Sequence, residues 1–236
     1  MLDDLTNHLS LYISQASIKV CGRFAVTLPT DAMAQLFDAT PANDLPDVPN
    51  YNVCPTTSVH AVIQADGRKL VSMRWGFLPH WYKSLNDGPL LINARSETIA
   101  QKPAFRAACR ERRCLLIATG FYEWTRDGDT RLPWYITRND GEPIIFAGIW
   151  QDWSNDEDHL RSCAIVTTAA NNPMSTIHHR MPVILTQTTV GFWLGEAGKG
   201  AARLMKPAPD NALIWHRVDN RVNSNKAKGP SLIDKI

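Results

Sequence analysis

One carboxylate among large aromatic side chains is the first sign of chemistry in this 236-residue sequence. Glu123 lies within Gly120-Phe-Tyr-Glu-Trp124, at the end of an apolar run. Aromatic neighbours exclude water, and desolvation raises the pKa of a carboxyl group because it disfavours the charged form. Glu123 is therefore a candidate general acid or base near neutral pH. The alternatives are that its side chain reaches solvent or pairs with an arginine.

Two adjacent histidines form a second candidate for proton transfer. His178, His179 and Arg180 lie between two apolar runs, in a segment that we expect to be a connection. Histidine moves protons near pH 7, and loops held by rigid strands often carry function. Neighbouring residues in a strand point to opposite faces, and no further Cys or His has the spacing of a metal site. We therefore expect no metal here.

Positive charge is concentrated between Arg95 and Arg113, where six basic residues face two acidic ones, whereas the net charge of the whole chain is +2. Guanidinium groups match phosphate oxygens, so this segment indicates phosphate contacts. The alternative is a solvated helix face.

An aromatic segment precedes this basic stretch. Trp75-Gly-Phe-Leu-Pro-His-Trp81 is interrupted by Gly and Pro, which predicts a shaped loop. Its aromatic rings could stack on unpaired bases, and the alternative is that they pack in the core.

Composition excludes several classes of protein. Hydrophobic residues make up 44% of the chain, which is enough for a folded core and excludes wholesale disorder. No apolar run approaches the roughly 18 residues that cross a bilayer, and the first residues do not resemble a secretory signal. The 5 cysteines have no disulfide-scaffold or metal-knuckle spacing. We expect a cytoplasmic protein with reduced thiols, no membrane segment and no cofactor.

Short apolar segments separated by turn signals predict a sheet-rich fold. Strands are expected at the following segments: Cys21–Val26, Ser58–Ile63, Leu70–Trp75, Cys114–Ala118, Trp134–Thr137, Pro143–Trp150 and Ser162–Thr168. Asp66-Gly67 and Asn139-Asp-Gly141 favour hairpins. One helix is expected after the first strand, with Thr30 or Asp31 as its N-cap. Further helices are expected near 104–112, 188–194 and 200–205. These helices are too few for repeated βαβ units. The predicted class is α+β, a mostly antiparallel curled sheet or partial β-barrel with a few flanking helices.

Seven motifs occur together in the sequence, and their combination strongly resembles the SOS response-associated peptidase (SRAP) family of abasic-site processing proteins. They are Cys21-Gly-Arg-Phe24, Tyr51-Asn-Val-Cys-Pro55, Arg74-Trp-Gly-Phe77, Asn93-Ala-Arg-Ser-Glu-Thr98, Lys102-Pro-Ala-Phe-Arg106, Gly120-Phe-Tyr-Glu-Trp124 and His178-His-Arg-Met-Pro182. The resemblance continues to Val222-Asn-Ser-Asn225 near the end of the chain. It implies a single SRAP domain over residues 21–236.

The resemblance also implies the activity and its residues. The family's mature N-terminal cysteine, here Cys21, crosslinks to an abasic site in single-stranded DNA and shields the lesion. The implied catalytic residues are Cys21, Asn93, Glu123 and His178. The residues implied or expected at the DNA are Arg23, Pro55, Trp75, Arg95, Ser96, Arg106 and Arg180. Self-cleavage that exposes the cysteine and a weak abasic-site lyase activity are implied as well, and on DNA the protein is expected at the nucleoid.

Residues 1–20 depart from the family pattern, in which only an initiator Met precedes the cysteine. The expected explanation is translation that begins at Val20 through a GTG codon, so that Met removal exposes Cys21. The alternatives are a propeptide removed by self-cleavage of the Val20–Cys21 bond, and a true extension that abolishes crosslinking.

Two other functions are open, and the first of them uses the same residues. An N-terminal-nucleophile hydrolase or cysteine peptidase would use Cys21 as nucleophile and His178 as base on amide bonds. Such an enzyme would not need the basic stretch and the aromatic loop. A non-catalytic single-strand-binding module would explain the charge and the aromatic residues, but it would leave Glu123 and His178 without a purpose.

Overall fold

Strands are the main regular elements between Phe24 and Arg217 in the computed structural model, which describes residues 21–236. The predictions for residues 1–20 lie outside the described residues. The strands are β1 (Phe24–Val26), β2 (Thr40–Pro41), β3 (Asn50–Val53), β4 (Ser58–Ala65), β5 (Gly67–Trp75), β6 (Asn93–Arg95), β7 (Arg113–Ala118), β8 (Gly120–Asp127), β9 (Thr130–Arg138), β10 (Ile144–Ser154), β11 (His159–Ala169), β12 (Arg180–Pro182), β13 (Ile184–Leu185) and β14 (Leu213–Arg217).

Helices are short and peripheral. They are α1 (Thr30–Phe37), α2 (Pro103–Glu111), α3 (Val190–Leu194) and α4 (Ala201–Leu204), with 3-10 turns at Met174–Thr176, Asn220–Asn223 and Pro230–Leu232. None of the helices within residues 21–236 has the length and apolar character that a bilayer-spanning helix needs.

The strands form two sheets. One has five strands in the order β14-β9-β8-β1-β3, and the other has nine, in the order β12-β11-β10-β7-β4-β5-β2 with β13 beside β10 and β6 beside β11. A parallel pairing of β11 with β5 joins the two ends of the run β11-β10-β7-β4-β5, so that these strands close into a ring. The predicted α+β class with a partial barrel is confirmed.

The five-stranded sheet has a different neighbour on each face. On one face, Phe24 and Phe121 both pack against Phe146 of the larger sheet, in edge-to-face contacts at 5.9 Å between ring centroids. On the other face, Tyr122 and Tyr135 form a smaller cluster with residues of the C-terminal segment, namely Val218, Val222 and Leu232. Cys21 lies just before β1 and belongs to the main core.

Two local predictions are wrong and one is confirmed. The hairpin at Asp66-Gly67 joins β4 to β5. The turn at 139–141 does not form a hairpin, because β9 pairs with β8 and β14 in one sheet and β10 belongs to the other. Helix α1 begins after Pro29, and no side chain bonds to its first amides, so neither Thr30 nor Asp31 is the N-cap.

Candidate active site

Cys21 and Glu123 are brought together by the pairing of β1 with β8. The two strands are antiparallel, with Phe24 opposite Phe121. This register carries Glu123 toward the residues that precede β1, and the backbone N–H of Cys21 donates to Glu123 Oε1 at 2.6 Å. The residue predicted to crosslink and a residue predicted to transfer protons are therefore in direct contact.

Glu123 is 1% exposed, and burial raises its pKa to about 8. The amides of Cys21 and Trp124 and the charge of Arg131 oppose this shift without cancelling it. Neither alternative for this carboxylate, solvent or an arginine partner, occurs in the part of the chain that the structure describes. The predicted desolvated carboxyl group is confirmed, and it holds its proton near pH 7.

The Cys21 thiol is buried, and burial raises its pKa well above the ordinary value, with Glu123 adding to the effect. The thiol is therefore protonated at neutral pH. The backbone of Cys21 has a φ of 46°, in the left-handed region that non-glycine residues seldom adopt. Such positions store strain of about 1–3 kcal/mol and cluster at functional sites.

Residues from two other motifs meet on either side of β11. β6 is parallel to β11, with Arg95 beside Thr167, and β12 is antiparallel to it, with Arg180 beside Ala169. The Thr167 carbonyl accepts from the Ser96 amide at 2.8 Å and from Arg180 Nη2 at 2.8 Å. Arg95, Ser96 and Arg180 therefore lie around the same part of β11, with Asn93 two residues before Arg95 on β6.

His178 is 6% exposed and neutral in its resting state. Its Nδ1 lies 3.0 Å from the backbone nitrogen of Arg180 and 3.2 Å from the carbonyl oxygen of the same residue, so it accepts from the first in one tautomer and donates to the second in the other. Burial, and then the adjacent His179, lower the pKa of His178. Its Nε2 is buried without a partner among residues 21–236, so it is free to bond a ligand.

Trp75 lies between β1 and β6, and therefore between the Cys21–Glu123 pair and the residues around β11, but its side chain does not reach solvent. Its ring packs on Phe24 at 4.9 Å between centroids, and its Nε1 donates to the carbonyl of Ile92, the residue before Asn93. Trp75 is fully buried, so our prediction that it stacks on DNA bases is wrong and the core-packing alternative is right. Of the two tryptophans of the aromatic segment, Trp81 is the exposed one, at 47%.

Arg23 also differs from expectation. It is 8% exposed, and its guanidinium donates to Asn52 Oδ1 at 2.6 Å, to the Val222 carbonyl at 3.0 Å and to Asn225 Oδ1 at 2.5 Å. These bonds hold the C-terminal segment against β1 and leave Arg23 little capacity for a DNA phosphate. Sequence reasoning missed the role of Asn52 and Asn225, although both lie in motifs that it had singled out.

The remaining predicted DNA contacts lie at or near the surface. Arg95 and Arg106 are exposed, Arg106 on α2, and Pro55 is partly exposed just after β3. Neither arginine forms an ion pair within residues 21–236. Arg180, by contrast, binds Glu97 through both terminal nitrogens, at 3.1 and 2.9 Å.

The described residues contain no cluster of three or more His, Cys, Asp or Glu side chains that could hold a metal ion. His178 and His179 stack on each other at 4.4 Å between ring centroids instead of converging on one point. The groups that these residues bring to the site are a backbone nitrogen, a thiol, a carboxyl group and an imidazole.

This fold and this arrangement of residues identify the family. Residues 20–225 match the family model "SOS response associated peptidase (SRAP)", so the chain belongs to the SRAP family. The resemblance inferred from the seven motifs is confirmed.

Curated relatives carry one common description. The chain is 34% identical over 224 residues to "Abasic site processing protein YoqW" of Bacillus subtilis, covering 91% of this chain and 99% of the relative. It is 32% identical to "Abasic site processing protein YedK" of Escherichia coli, covering 92% and 100%. It is 31% identical to "Abasic site processing protein HMCES" of the rat, covering 91% and 75%.

Solved structures share the fold. A crystal structure of a protein from Bacteroides thetaiotaomicron superposes with a TM-score of 0.81 at 24% identity, covering 92% of this chain and 100% of that one. A protein from Bordetella bronchiseptica gives a TM-score of 0.73 at 25% identity, covering 84% and 100%.

Proposed function

We propose that this protein processes abasic sites in single-stranded DNA by forming a covalent link to the lesion through Cys21. The observation that carries the proposal is the 2.6 Å contact between the Cys21 nitrogen and the desolvated Glu123 carboxyl group. The curated relatives, whose names all describe abasic-site processing, support it. The function places the protein at the nucleoid, in the cytoplasm.

The reaction first needs a free α-amine on Cys21. Where the Val20–Cys21 peptide bond is present, water adds to the Val20 carbonyl carbon and the Cys21 nitrogen leaves with a proton. Glu123 is bonded to that nitrogen and carries a proton near pH 7, so it is suited to donate it. The strained backbone at Cys21 relaxes when the bond breaks. Translation from position 20 would expose the same amine by Met removal.

The amine and the thiol of Cys21 then react in sequence with the opened abasic sugar. An α-amine has a pKa of about 7.7–8, so a large share is neutral at pH 7.5 and attacks the sugar aldehyde. Loss of one water gives an imine. The thiol of the same residue adds to the imine carbon, and its proton passes to the nitrogen, which closes a five-membered thiazolidine. The thiol is already in place, an advantage that reaches an effective concentration of about 10⁵ M or more.

Glu123 has the right pKa for these proton transfers, since its value of about 8 lies close to that of the amine. In the tautomer whose Nδ1 accepts from the Arg180 amide, His178 carries its proton on Nε2 and protonates the ring oxygen of the sugar as it opens. Asn93 bonds the amine or the sugar. The imine also acidifies the neighbouring sugar carbon, so weak β-elimination at the 3′ phosphate accompanies the crosslink.

Basic and polar side chains, one proline and one indole would hold the strand. Arg95, Ser96 and Arg180 bind phosphates near the lesion, and Arg106 and Pro55 contact the strand farther away. Trp81 takes the base-stacking role first assigned to Trp75, because its ring is exposed in the same aromatic segment.

The environment of Cys21 disfavours the rival reading as a cysteine hydrolase. Such an enzyme attacks with a thiolate, which needs a lowered thiol pKa. Here burial raises the pKa of the Cys21 thiol, and the group bonded to the residue is a carboxyl group on its nitrogen.

A single-stranded oligonucleotide with one abasic site tests the proposal. Protein that begins at Cys21 should form an adduct that survives denaturing electrophoresis without borohydride. Cys21→Ser keeps the amine and loses the thiol, so its adduct should depend on borohydride trapping. Cys109→Ser is the matched control and should behave as wild type. Adducts of equal stability with Cys21→Ser, or none with wild type, would overturn the thiazolidine.

A further inference from the structure

A polar cleft lies beside β5, at the point where the strand ring closes. Two strands share one edge of β5: β2 pairs with Lys69 and Leu70, and β11 pairs with Arg74 and Trp75. The cleft opens between these two strands, and its volume is about 550 Å³, which suits a ligand of nucleotide size. Its polar lining includes Thr56, Ser58, Ser72, Arg74, Asp152 and Arg161.

Arg74 is a half-buried cation without an anionic partner. Its Nη1 donates to the Gly76 carbonyl at 2.5 Å, and the residue forms no ion pair within residues 21–236. Burial lowers the pKa of the Arg74 guanidinium. Removing a charge from water costs free energy unless an opposite charge compensates it. An anion in the cleft would supply that compensation.

The backbone at Gly76 makes room for this guanidinium. Gly76 has a φ of 141°, in the region that favours glycine, and a Cβ at this position would lie 2.5 Å from Arg74 Nη1. A larger residue would therefore displace the guanidinium. The chain places Arg74 at the cleft through a conformation that glycine alone adopts readily.

Arg161 is a second cation with a fixed orientation. Its Nε donates to Asp152 Oδ1 at 2.9 Å, and its guanidinium lies 4.6 Å from the centroid of the Trp150 ring. The two terminal nitrogens of Arg161 form no hydrogen bond in the part of the chain that the structure describes. Two cations and one carboxylate line the cleft, so positive charge is in excess there.

Three hydroxyl groups add hydrogen-bonding capacity next to these cations. Ser58 lies directly opposite Arg74 in the register of β4 with β5. Ser72 precedes Arg74 by two residues, so its side chain points to the same face of the sheet. Thr56 lies just before β4 at the same cleft. Guanidinium groups with hydroxyls beside them suit a phosphate group that is attached to a polar body.

The cleft is distant from the residues expected at the DNA. Arg95 lies beside Thr167 of β11, whereas Arg161 lies near the start of the same strand. At about 3.3 Å per residue, these two positions on β11 are separated by about 20 Å. A ligand in the cleft therefore does not need to touch the Cys21 site.

We propose that this cleft binds a phosphate monoester of nucleotide size, with Arg74 and Arg161 holding the phosphate and the hydroxyls of Ser58, Ser72 and Thr56 contacting the rest of the ligand. The site is additional to the proposed function and needs no crosslink.

Titration calorimetry with thymidine monophosphate tests the site, because this nucleotide has no aldehyde that could react with Cys21. Ser58→Asp places a carboxylate opposite Arg74, where the phosphate of the ligand is expected. It should weaken binding at least tenfold without lowering the melting temperature. Ser58→Asn has the same size without the charge, and it should change the affinity less than threefold. Inorganic phosphate should bind wild type more weakly than the nucleotide does, because it fills only part of the cleft.

A crossed comparison separates the cleft from the DNA surface. Arg95→Gln/Arg106→Gln should bind thymidine monophosphate as wild type does, and Ser58→Asp should bind an undamaged single-stranded oligonucleotide within twofold of wild type. Absence of nucleotide binding to wild type at millimolar concentration, or equal losses with Ser58→Asp and Ser58→Asn, would overturn the site. Weaker oligonucleotide binding by Ser58→Asp would also overturn it, since the cleft would then belong to the DNA surface. The Cys21 experiment is unaffected by any of these outcomes.

Discussion

Two glutamates near the candidate site have opposite environments. Glu123 is buried and bonded to a backbone amide, and its pKa is raised to about 8. Glu97 is about half exposed and bonded to Arg180, and that hydrogen bond is the main reason why its pKa is lowered. At pH 7 the first carboxyl group therefore carries a proton and the second carries a charge.

The difference shows how this fold separates chemistry from binding. The carboxyl group proposed to give and take protons is kept from water and forms no ion pair within the described residues. Around β11, the Glu97 carboxylate instead fixes the direction of the Arg180 guanidinium, while Arg95 lies at the surface, where a phosphate can reach it. Each of the predictions below tests one side of this contrast.

Glu123→Gln should have the largest effect. It removes the carboxyl group that is bonded to the Cys21 nitrogen, and loss of a general acid or base typically costs about 10²–10⁴ in rate. The rate of crosslinking at saturating abasic DNA measures it. Glu111→Gln, an exposed carboxylate in the basic segment, is the control and should keep the wild-type rate. A rate for Glu123→Gln within threefold of wild type would contradict the assignment.

Trp81→Ala should weaken binding of single-stranded DNA about tenfold, because stacking of one base on an aromatic ring contributes about 1–3 kcal/mol. Fluorescence anisotropy with an undamaged oligonucleotide measures it. Trp75→Phe should leave this affinity unchanged and should lower the melting temperature, since Trp75 is a core residue. A loss of DNA affinity with Trp75→Phe and none with Trp81→Ala would show that Trp75 is the stacking residue.

The stability of the protein should fall as the pH rises from 5 to 8 because of Glu123. Its folded pKa of about 8 exceeds the unfolded value, so its contribution is complete below the unfolded pKa and is lost as pH rises through this window. The slope for one retained proton is about 1.4 kcal/mol per pH unit. Denaturant unfolding of wild type and Glu123→Gln at pH 5, 6 and 7 measures it, and a constant difference between the two would contradict the raised pKa.

Glu97→Gln should have the smallest effect and the opposite pH dependence. Because its pKa is lowered, the contribution of Glu97 is present above the unfolded pKa and is lost as pH falls. A half-exposed ion pair contributes only about 0.2–1 kcal/mol, so crosslinking should slow by no more than about fivefold. The same unfolding series, extended to pH 3, checks the direction. A loss as large as that of Glu123→Gln would place Glu97 in the chemistry.

The sequence predicted the Glu123 side of this contrast better than the arginine side. The aromatic residues on either side of Glu123 indicate directly that its carboxyl group is desolvated. Apolar strand patterns and one turn signal also located β4, β5, β7 and β10. Whether an arginine is free depends on long-range partners. Arg23 was predicted at the DNA, yet Asn52 and Asn225, far away in the sequence, occupy its guanidinium. Trp75 failed for a similar reason, since closure of the strand ring buries it.

The central claim is that Cys21 forms a thiazolidine with an abasic site, and an intact mass tests it most directly. The expressed protein is mixed with a single-stranded oligonucleotide that carries one abasic site, and its mass is taken under denaturing conditions without borohydride. We expect a species that begins at Cys21 and has gained the mass of the DNA less one water. Protein that begins at Cys21 and shows no added mass would contradict the account.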